Sequence, residues 1–392
     1  MVIGTTDPAS SPGSPVRVDV LVTAFNAEST IREAVASLQA QTFRDIRIVV
    51  VDDGSTDGTV GLVTELAAND RRILLVQKPH SGIVDSLRVG LTHCDAPLLA
   101  RFDADDLCNP DRVQRQVAEL EAHPDWVAVA SAARVVDEGG HWGGSFTRHA
   151  APEAADPLWI PAREPYMLQP FLMMRRAALD AVGGYRLCEV AEDSDLYWRL
   201  RGIGRLVNTS DVLGDYRQHA NSISSRSIVR GRRIAFWSQL IALSARRREL
   251  GANDLIFDEA RLEAIAHATT LDEHCLRGTA GVVPGEQTRL RAAIAAKLIE
   301  VAAYRPFELE PGDCRFARRA FADARPLLSS ANREALETDV WKTKVRLIFA
   351  GRWRAACLLD PAGFPRLLTV WARRTFLTEG LRRRLRRLVG AR

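Results

Sequence analysis

Three carboxylates, Asp103, Asp105 and Asp106, directly follow the apolar run Leu98, Leu99, Ala100 and Phe102 in LLARFDADD. Acids so close repel one another unless a cation neutralises them, and an oxygen-only set suits a hard divalent ion such as Mn²⁺ or Mg²⁺. The competing reading is a solvated turn, with Asn109 or Asp111 capping the next helix. A second pair, Asp52 and Asp53, sits in VVVDDGSTDGT. There glycine and small hydroxyl residues allow a tight turn, and a carboxylate can accept hydrogen bonds from a base or a ribose. Asp57 reads as a helix cap. A third group, Glu192, Asp193 and Asp195, stands ahead of a helical segment, where acids ordinarily cap the helix or complement its dipole; Asp195 fits that role well.

The elements that must position these acids alternate. Val18–Val22, Ile46–Val51, Ile73–Val76 and Leu98–Phe102 read as buried strands, each followed by a helical segment: 28–41 with Ile31, Val35 and Leu38 on one face, then one from near Thr59, one over 83–91 and one over 110–121. Four strand–helix units imply an α/β domain with a mainly parallel sheet, whose strand ends open on a ligand crevice. Trp126–Ala130 predicts a further strand. An extended loop rich in Gly and Pro follows, with His141, Trp142 and His149 as acceptor-side candidates. Leu172–Met174 predicts another strand, 177–182 a short helix, and Gly183-Gly184 its stop. Neither Gly-x-Gly-x-x-Gly nor Gly-x-x-x-x-Gly-Lys-Ser/Thr occurs, so a nucleotide would need another way to neutralise its phosphates.

The 392 residues suffice for two or three domains, and 46% apolar with 26% charged residues is ordinary for a soluble protein. The net charge of +4 conceals a division. Residues 1–225 carry 21 Lys+Arg against 31 Asp+Glu, net −10, and residues 226–392 carry 32 against 18, net +14. An acidic half that handles an anionic substrate needs a metal to do so. The six cysteines show no Cys-x-x-Cys or zinc-like spacing, which fits a reduced, cytoplasmic protein. Residues 1–15 have neither a basic nor an apolar leader pattern and read as a disordered tail. No run approaches the ~18 apolar residues of a membrane span.

The order VLVTAFNAESTIREAVASLQAQTF, IVVVDDGSTDGT and FDADD resembles family 2 glycosyltransferases of the GT-A fold, over roughly residues 16–222. The resemblance implies an inverting sugar transfer from a nucleotide-diphosphate sugar, a UDP-sugar above all, to a hydroxyl of a glycan or lipid-linked acceptor, with Mn²⁺ or Mg²⁺ as cofactor. It places Thr23, Ala24 and Asn26 in the first nucleotide-contacting loop, Asp52 and Asp53 in the base- and ribose-binding acid motif, and Gly82 on the nucleotide side. Asp103-Ala104-Asp105 matches the Asp-x-Asp motif, with Asp103 toward the nucleotide and Asp105 the metal ligand. Glu192, Gly184 and Tyr185 fall on the acceptor side. An acceptor hydroxyl must lose its proton as it attacks, and by position Asp193 is the catalytic base. In DYRQHANSIS the resemblance makes His219 a second metal ligand and Arg217 a phosphate contact. Phe25 stands where the family commonly has Tyr, and Arg88 where Asn is usual.

From about residue 225 the sequence turns Arg/Ala/Leu-rich, and helices are predicted over 231–250, 255–268, 287–303 and 315–324, broken by Asn253, Pro284, Pro311 and Pro326. A helical domain is expected over 225–370. At residues 371–392, Leu377, Leu381, Leu385 and Leu388 form one apolar face among eight arginines and one glutamate. Such a helix can lie on an anionic membrane, with about 1 kcal/mol from each arginine, or dock on protein. Nucleic acid is not an expected partner, because aromatic stacking platforms are lacking nearby. The rival to an enzyme is a noncatalytic nucleotide-sugar-binding scaffold or sensor at the membrane surface.

Overall fold

The computed structural model describes residues 2–3, 16–147, 151–218, 227–305 and 307–361. His149, His219 and the basic segment 371–392 therefore lie outside the described residues, as does the expected tail apart from Val2–Ile3. The chain forms two compact units. One comprises Met1–Leu158, Ala162–Ser224 and Leu240–Ala264; the other comprises Trp159–Pro161, Ser225–Gln239 and Ile265–Arg392. The division thus differs from a single boundary at 225: residues 240–264 join the α/β unit.

In chain order that unit runs β1 (Val2–Ile3), β2 (Val18–Ala24), α1 (Ile31–Gln39), β3 (Ile46–Asp52), α2 (Thr59–Asn69), β4 (Ile73–Gln77), α3 (Ile83–Leu91) and β5 (Leu98–Asp103). It continues with β6 (Leu107–Cys108), α4 (Arg112–Ala122), β7 (Trp126–Val136), β8 (Trp142–Phe146), β9 (Leu172–Arg175), α5 (Arg176–Ala181), α6 (Glu192–Arg201) and β10 (Arg205–Arg217). One sheet takes the order β1-β4-β3-β2-β5-β9-β7-β10-β6, with β8 on β7. The strands β4, β3, β2 and β5 are parallel, as expected. The whole sheet is mixed rather than mainly parallel, because β9 enters antiparallel between β5 and β7. A further difference is Trp142–Phe146, which is a hairpin strand on β7 rather than extended loop.

Central strands covered on both faces must be apolar almost throughout. In β2, Val18, Val20 and Val22 face one core with Ile31, Val35 and Leu38 of α1; Leu21 faces the other with Leu87 of α3 and Leu196 and Leu200 of α6. This is the two-residue alternation of a strand. Gly90 is required where α3 crosses β2, since a Cβ there would lie 2.3 Å from a Leu21 methyl. The register sets Ala24 beside Asp52 and Thr23 beside Asp103. All three chemistry-bearing strand ends thus open on one edge, where β2 lies between β3 and β5 and the connections diverge.

Helix α7 (Ile228–Glu249) passes from the second unit to the first; α8 (Glu259–Ile265), α9 (Leu271–Gly278), α10 (Pro284–Tyr304), α11 (Pro311–Ala324), α12 (Ser330–Phe349) and α13 (Trp353–Leu359) follow. The second unit packs Ile160, Ala292, Ala296, Ala324 and Leu336 into an apolar cluster, and ties Arg232 to Asp313 at 2.7 Å. Pro284 and Pro311 do not break helices. They begin them, at a position where the missing N–H has no partner to lose. None of the described helices is long and apolar enough to cross a membrane.

Candidate active site

The nucleotide-side loops are knitted to each other. Asn26, at φ +48, accepts the Thr56 N–H on Oδ1 at 2.8 Å, while its own N–H donates to Ser55 Oγ at 2.9 Å. Asp57 precedes the N-cap of α2, which is Gly58, and its carboxylate accepts the Thr59 N–H at 3.0 Å and the Glu28 N–H at 3.1 Å. Asp53 is buried, with its oxygens taken by Lys78 and by the N–H groups of Ser81 and Gly82, both at 2.9 Å. Burial pushes its carboxyl up, but these donors outweigh burial and leave it below the usual carboxylate range. Asp52 is different. Its Oδ2 accepts the Gly54 and Ser55 N–H groups, whereas Oδ1 is buried without a hydrogen-bond partner among the described residues. Above them Phe25, half exposed, stacks on His80 with ring centroids 4.2 Å apart.

The acid motif is held by its backbone, so that its side chains converge. Thr30 Oγ1 donates to the Ala104 carbonyl at 2.9 Å, and Arg217 Nε donates to the Asp105 carbonyl at 2.8 Å. Asp103, Asp105 and Asp106 each present a carboxylate oxygen within 4.8 Å of the others. Beneath them is a buried cation, Arg101, which bonds Asp103 Oδ1 at 2.6 Å and Thr23 Oγ1 at 2.8 Å. Asp106 accepts the Arg217 N–H at 2.8 Å on Oδ1, and its buried Oδ2 has no partner among the described residues. Burial, then repulsion by Asp103 and Asp105, raises the Asp106 carboxyl well above its ordinary value.

Across from this motif, α6 begins after Ala191, which takes φ +65. Glu192 is buried and its carboxyl is raised, chiefly by burial; Arg101 lowers it and Asp103 raises it, which puts it within electrostatic reach of the acid motif. Asp193 is pushed up to about 7, first by burial and then by Glu192, with the Ser194 N–H bond at 2.7 Å acting the other way. A partly exposed carboxyl that is poised near neutrality beside a second acid can accept a proton from a bound hydroxyl.

The model of glycosyl transferase family 2 matches residues 19–183. The putative glycosyltransferase EpsE of Bacillus subtilis is 30% identical over 62% of this chain and 86% of its own length. The chain belongs to glycosyl transferase family 2. The amylovoran biosynthesis glycosyltransferase AmsE of Erwinia amylovora is 28% identical over 53% of this chain and 78% of its own. In fold, residues 1–349 of S. aureus TarS superpose with a TM-score of 0.51 at 19% identity, over 83% of this chain and 91% of that one. The architecture is that of a GT-A glycosyltransferase with a helical C-terminal region.

Within this family 2 glycosyltransferase the expected residues divide. Thr23, Ala24, Asn26, Asp52, Asp53, Gly82, Asp103 and Asp105 lie on the loops at the edge formed by the ends of β2, β3 and β5; Gly82, at φ +93, donates to Asp53 from a conformation that suits glycine. Arg217, expected as a phosphate contact, is tied into the acid loop. Its guanidinium is buried and committed to the Asp105 carbonyl, the Glu138 carbonyl at 2.7 Å and Glu33 at 3.4 Å, so it supports the acid loop. Tyr185 is buried in the core with Leu196 and Leu200, within electrostatic reach of Glu192 and Asp193. Gly184 takes φ +66 and its N–H closes the turn on the Leu179 carbonyl at 2.9 Å. Asp195 is not a cap but a fully buried ion-pair centre between Arg186 and Arg199. Arg101 and Thr30, which support the acid motif, are not named by the family motifs, and Asp106 lies outside Asp-x-Asp. An arginine amid an apolar strand was the available signal for Arg101, since such a charge is buried only with partners.

Proposed function

We propose that this glycosyltransferase moves one sugar, with inversion, from a UDP-sugar to a hydroxyl of a glycan or lipid-linked acceptor in polysaccharide synthesis, using a divalent ion at the end of β5. The observation that carries this reading is the pairing of two unlike acid groups: three carboxylates with oxygens within 4.8 Å, and Asp193 poised at about 7 beside Glu192. UDP is favoured because TarS, alike in fold, has been solved with UDP and with UDP-GlcNAc. Polysaccharide synthesis is favoured by the kinship with AmsE.

The three carboxylates fit a hard ion, offering oxygen ligands that include Asp106 Oδ2, which has no partner among the described residues. Asp105 would hold it with Asp106 and Asp103, and His219 is proposed as a further ligand. When bound, such an ion supplies positive charge to the diphosphate leaving group. The chain does the rest. The Phe25–His80 pair offers an aromatic wall to the base, and Asp52 Oδ1 an acceptor. Asp193 takes the acceptor proton as the hydroxyl attacks the anomeric carbon from the side opposite the diphosphate. A carboxyl near 7 is about half ionised at neutral pH and basic enough for that transfer.

Calorimetry with UDP and Mn²⁺, combined with hydrolysis of a UDP-sugar panel, tests the reading. Native protein is expected to bind UDP more tightly with Mn²⁺ and to release UDP from at least one sugar donor; Asp105→Ala should lose the Mn²⁺ effect. Binding without release by native protein would instead identify a noncatalytic nucleotide-sugar scaffold. The basic segment 371–392 is proposed to rest on the anionic inner face of the membrane, with the enzyme cytoplasmic. Equal co-sedimentation of full-length and 1–370 protein with anionic vesicles would overturn that contact.

A further inference from the structure

Helix α6 carries Glu192 and Asp193 in its first turn, the part of a helix whose leading N–H groups lack partners within the helix. No side-chain cap holds this turn, because the preceding Ala191 has no group that could. What anchors it is Asp195. Its fully buried carboxylate accepts Arg186 Nε at 3.0 Å and Arg199 Nε and Nη2 at 2.9 and 2.6 Å. Arg186 Nη1 reaches on to Asp254 at 3.0 Å, and its guanidinium lies 4.2 Å from the centroid of Phe257. Asp254 is itself gripped by Arg248 at 2.6 Å and by the Ser244 hydroxyl. At the far end of α6, Arg201 bonds Glu249 at 3.1 Å. Ser244, Arg248, Glu249, Asp254 and Phe257 all belong to Leu240–Ala264, which lies past residues 19–183 matched by the family.

We infer that Leu240–Ala264 is a positioning element of the transfer reaction: Asp254 orients Arg186, Arg186 and Arg199 lock Asp195, and the locked helix sets where Glu192 and Asp193 meet the acceptor. This rests on Asp193 being the base. The device is ionic because an arginine fork on a carboxylate fixes angle as well as distance. Asp195 cannot turn away without leaving a buried charge unpaired, whereas an apolar contact would let the helix slide.

The groups acting on Asp193 are Glu192 and Glu164, which repel its charge, the Ser194 N–H, which favours it, and Tyr197 close by. Next to them Arg186, Arg199 and Arg248 are paired with Asp195 and Asp254, a set with one positive charge in excess. Neutralising Asp254 adds to that positive excess, which favours ionised Asp193.

Full-length Asp254→Asn and Arg186→Lys test the inference. For Asp254→Asn, UDP release from a UDP-sugar with Mn²⁺ is expected to fall about 10- to 100-fold in kcat, the scale of a misplaced catalytic group. KM for the donor and calorimetric UDP affinity should stay unchanged, and the acid limb of kcat/KM should move to lower pH. Amide exchange should quicken in Glu192–Arg201 while Val18–Ala24 and Ile46–Asp52 keep their protection. Arg186→Lys retains charge without the fork, so it should alter exchange and kcat but leave the acid limb in place. Unchanged exchange in α6 overturns the inference, as does protection lost equally across β2, β3 and α6, since the segment would then only stabilise the fold. If native protein releases no UDP from any UDP-sugar, the proposed function fails, and exchange in α6 still decides whether Leu240–Ala264 holds the helix.

Discussion

Asp106 and Asp195 are both buried carboxylates, 1% and 0% exposed, yet their surroundings are opposite. Asp195 lies between Arg186 and Arg199, and its charge is matched. Asp106 has one backbone donor, an oxygen without a partner among the described residues, and two further acids beside it. Taking a charge out of water is costly unless it is paired. A balanced buried cluster is therefore scaffold, while an unbalanced one stores a demand that a ligand can meet. The same contrast separates Asp53, fully supplied by Lys78, Ser81 and Gly82, from Asp52, which keeps one oxygen unpartnered.

The strongest way to sharpen the contrast is Asp193→Asn. Transfer should fall by about 10²- to 10⁴-fold, the usual worth of a general base, while calorimetric UDP affinity holds; a loss under tenfold would remove Asp193 from the role. Native kcat/KM should rise with pH through about 7 and then level, as Asp193 ionises. Stability runs the other way. Because the folded state raises this carboxyl, Asp193 favours the fold below the ordinary carboxylate range and loses that contribution as pH climbs through about 7. Urea midpoints should therefore favour Asp193→Asn over native protein more at pH 8 than at pH 5.

On the paired side, Asp195→Ala deprives the buried Arg199 guanidinium of its carboxylate and leaves Arg186 with Asp254 alone, and should cost about 3–5 kcal/mol in urea unfolding. A loss no larger than a surface change would break the comparison. On the unbalanced side, Mn²⁺ at a hundred times its Kd should stabilise native protein by about 2.7 kcal/mol, seen as a raised melting temperature that Asp105→Ala abolishes. The smallest effect expected is Gly82→Ala, about 1 kcal/mol of strain from φ +93 with open space around the new methyl. A larger loss in donor affinity than in stability would show that the Asp53–Gly82 bond shapes the nucleotide loop.

Much of this arrangement was legible in the sequence because it is local. Strand–helix alternation, the buried face of α1 and the acids at the ends of β3 and β5 all follow from spacing within a dozen residues. Those patterns, with the family motifs, determined the GT-A class and the position of the acid motif. Only the tertiary structure decided which charges are matched. Arg217 meets the Asp105 carbonyl across 112 positions, Arg186 meets Asp254 across 68, and Arg101 meets Thr23 across 78. Periodicity carries no record of pairings at such separations. Whether a carboxylate is a ligand, a base or a buried strut depends on the counter-charge that folding brings to it, and that is why Asp106, beside two acids, and Asp195, between two arginines, differ although both are buried.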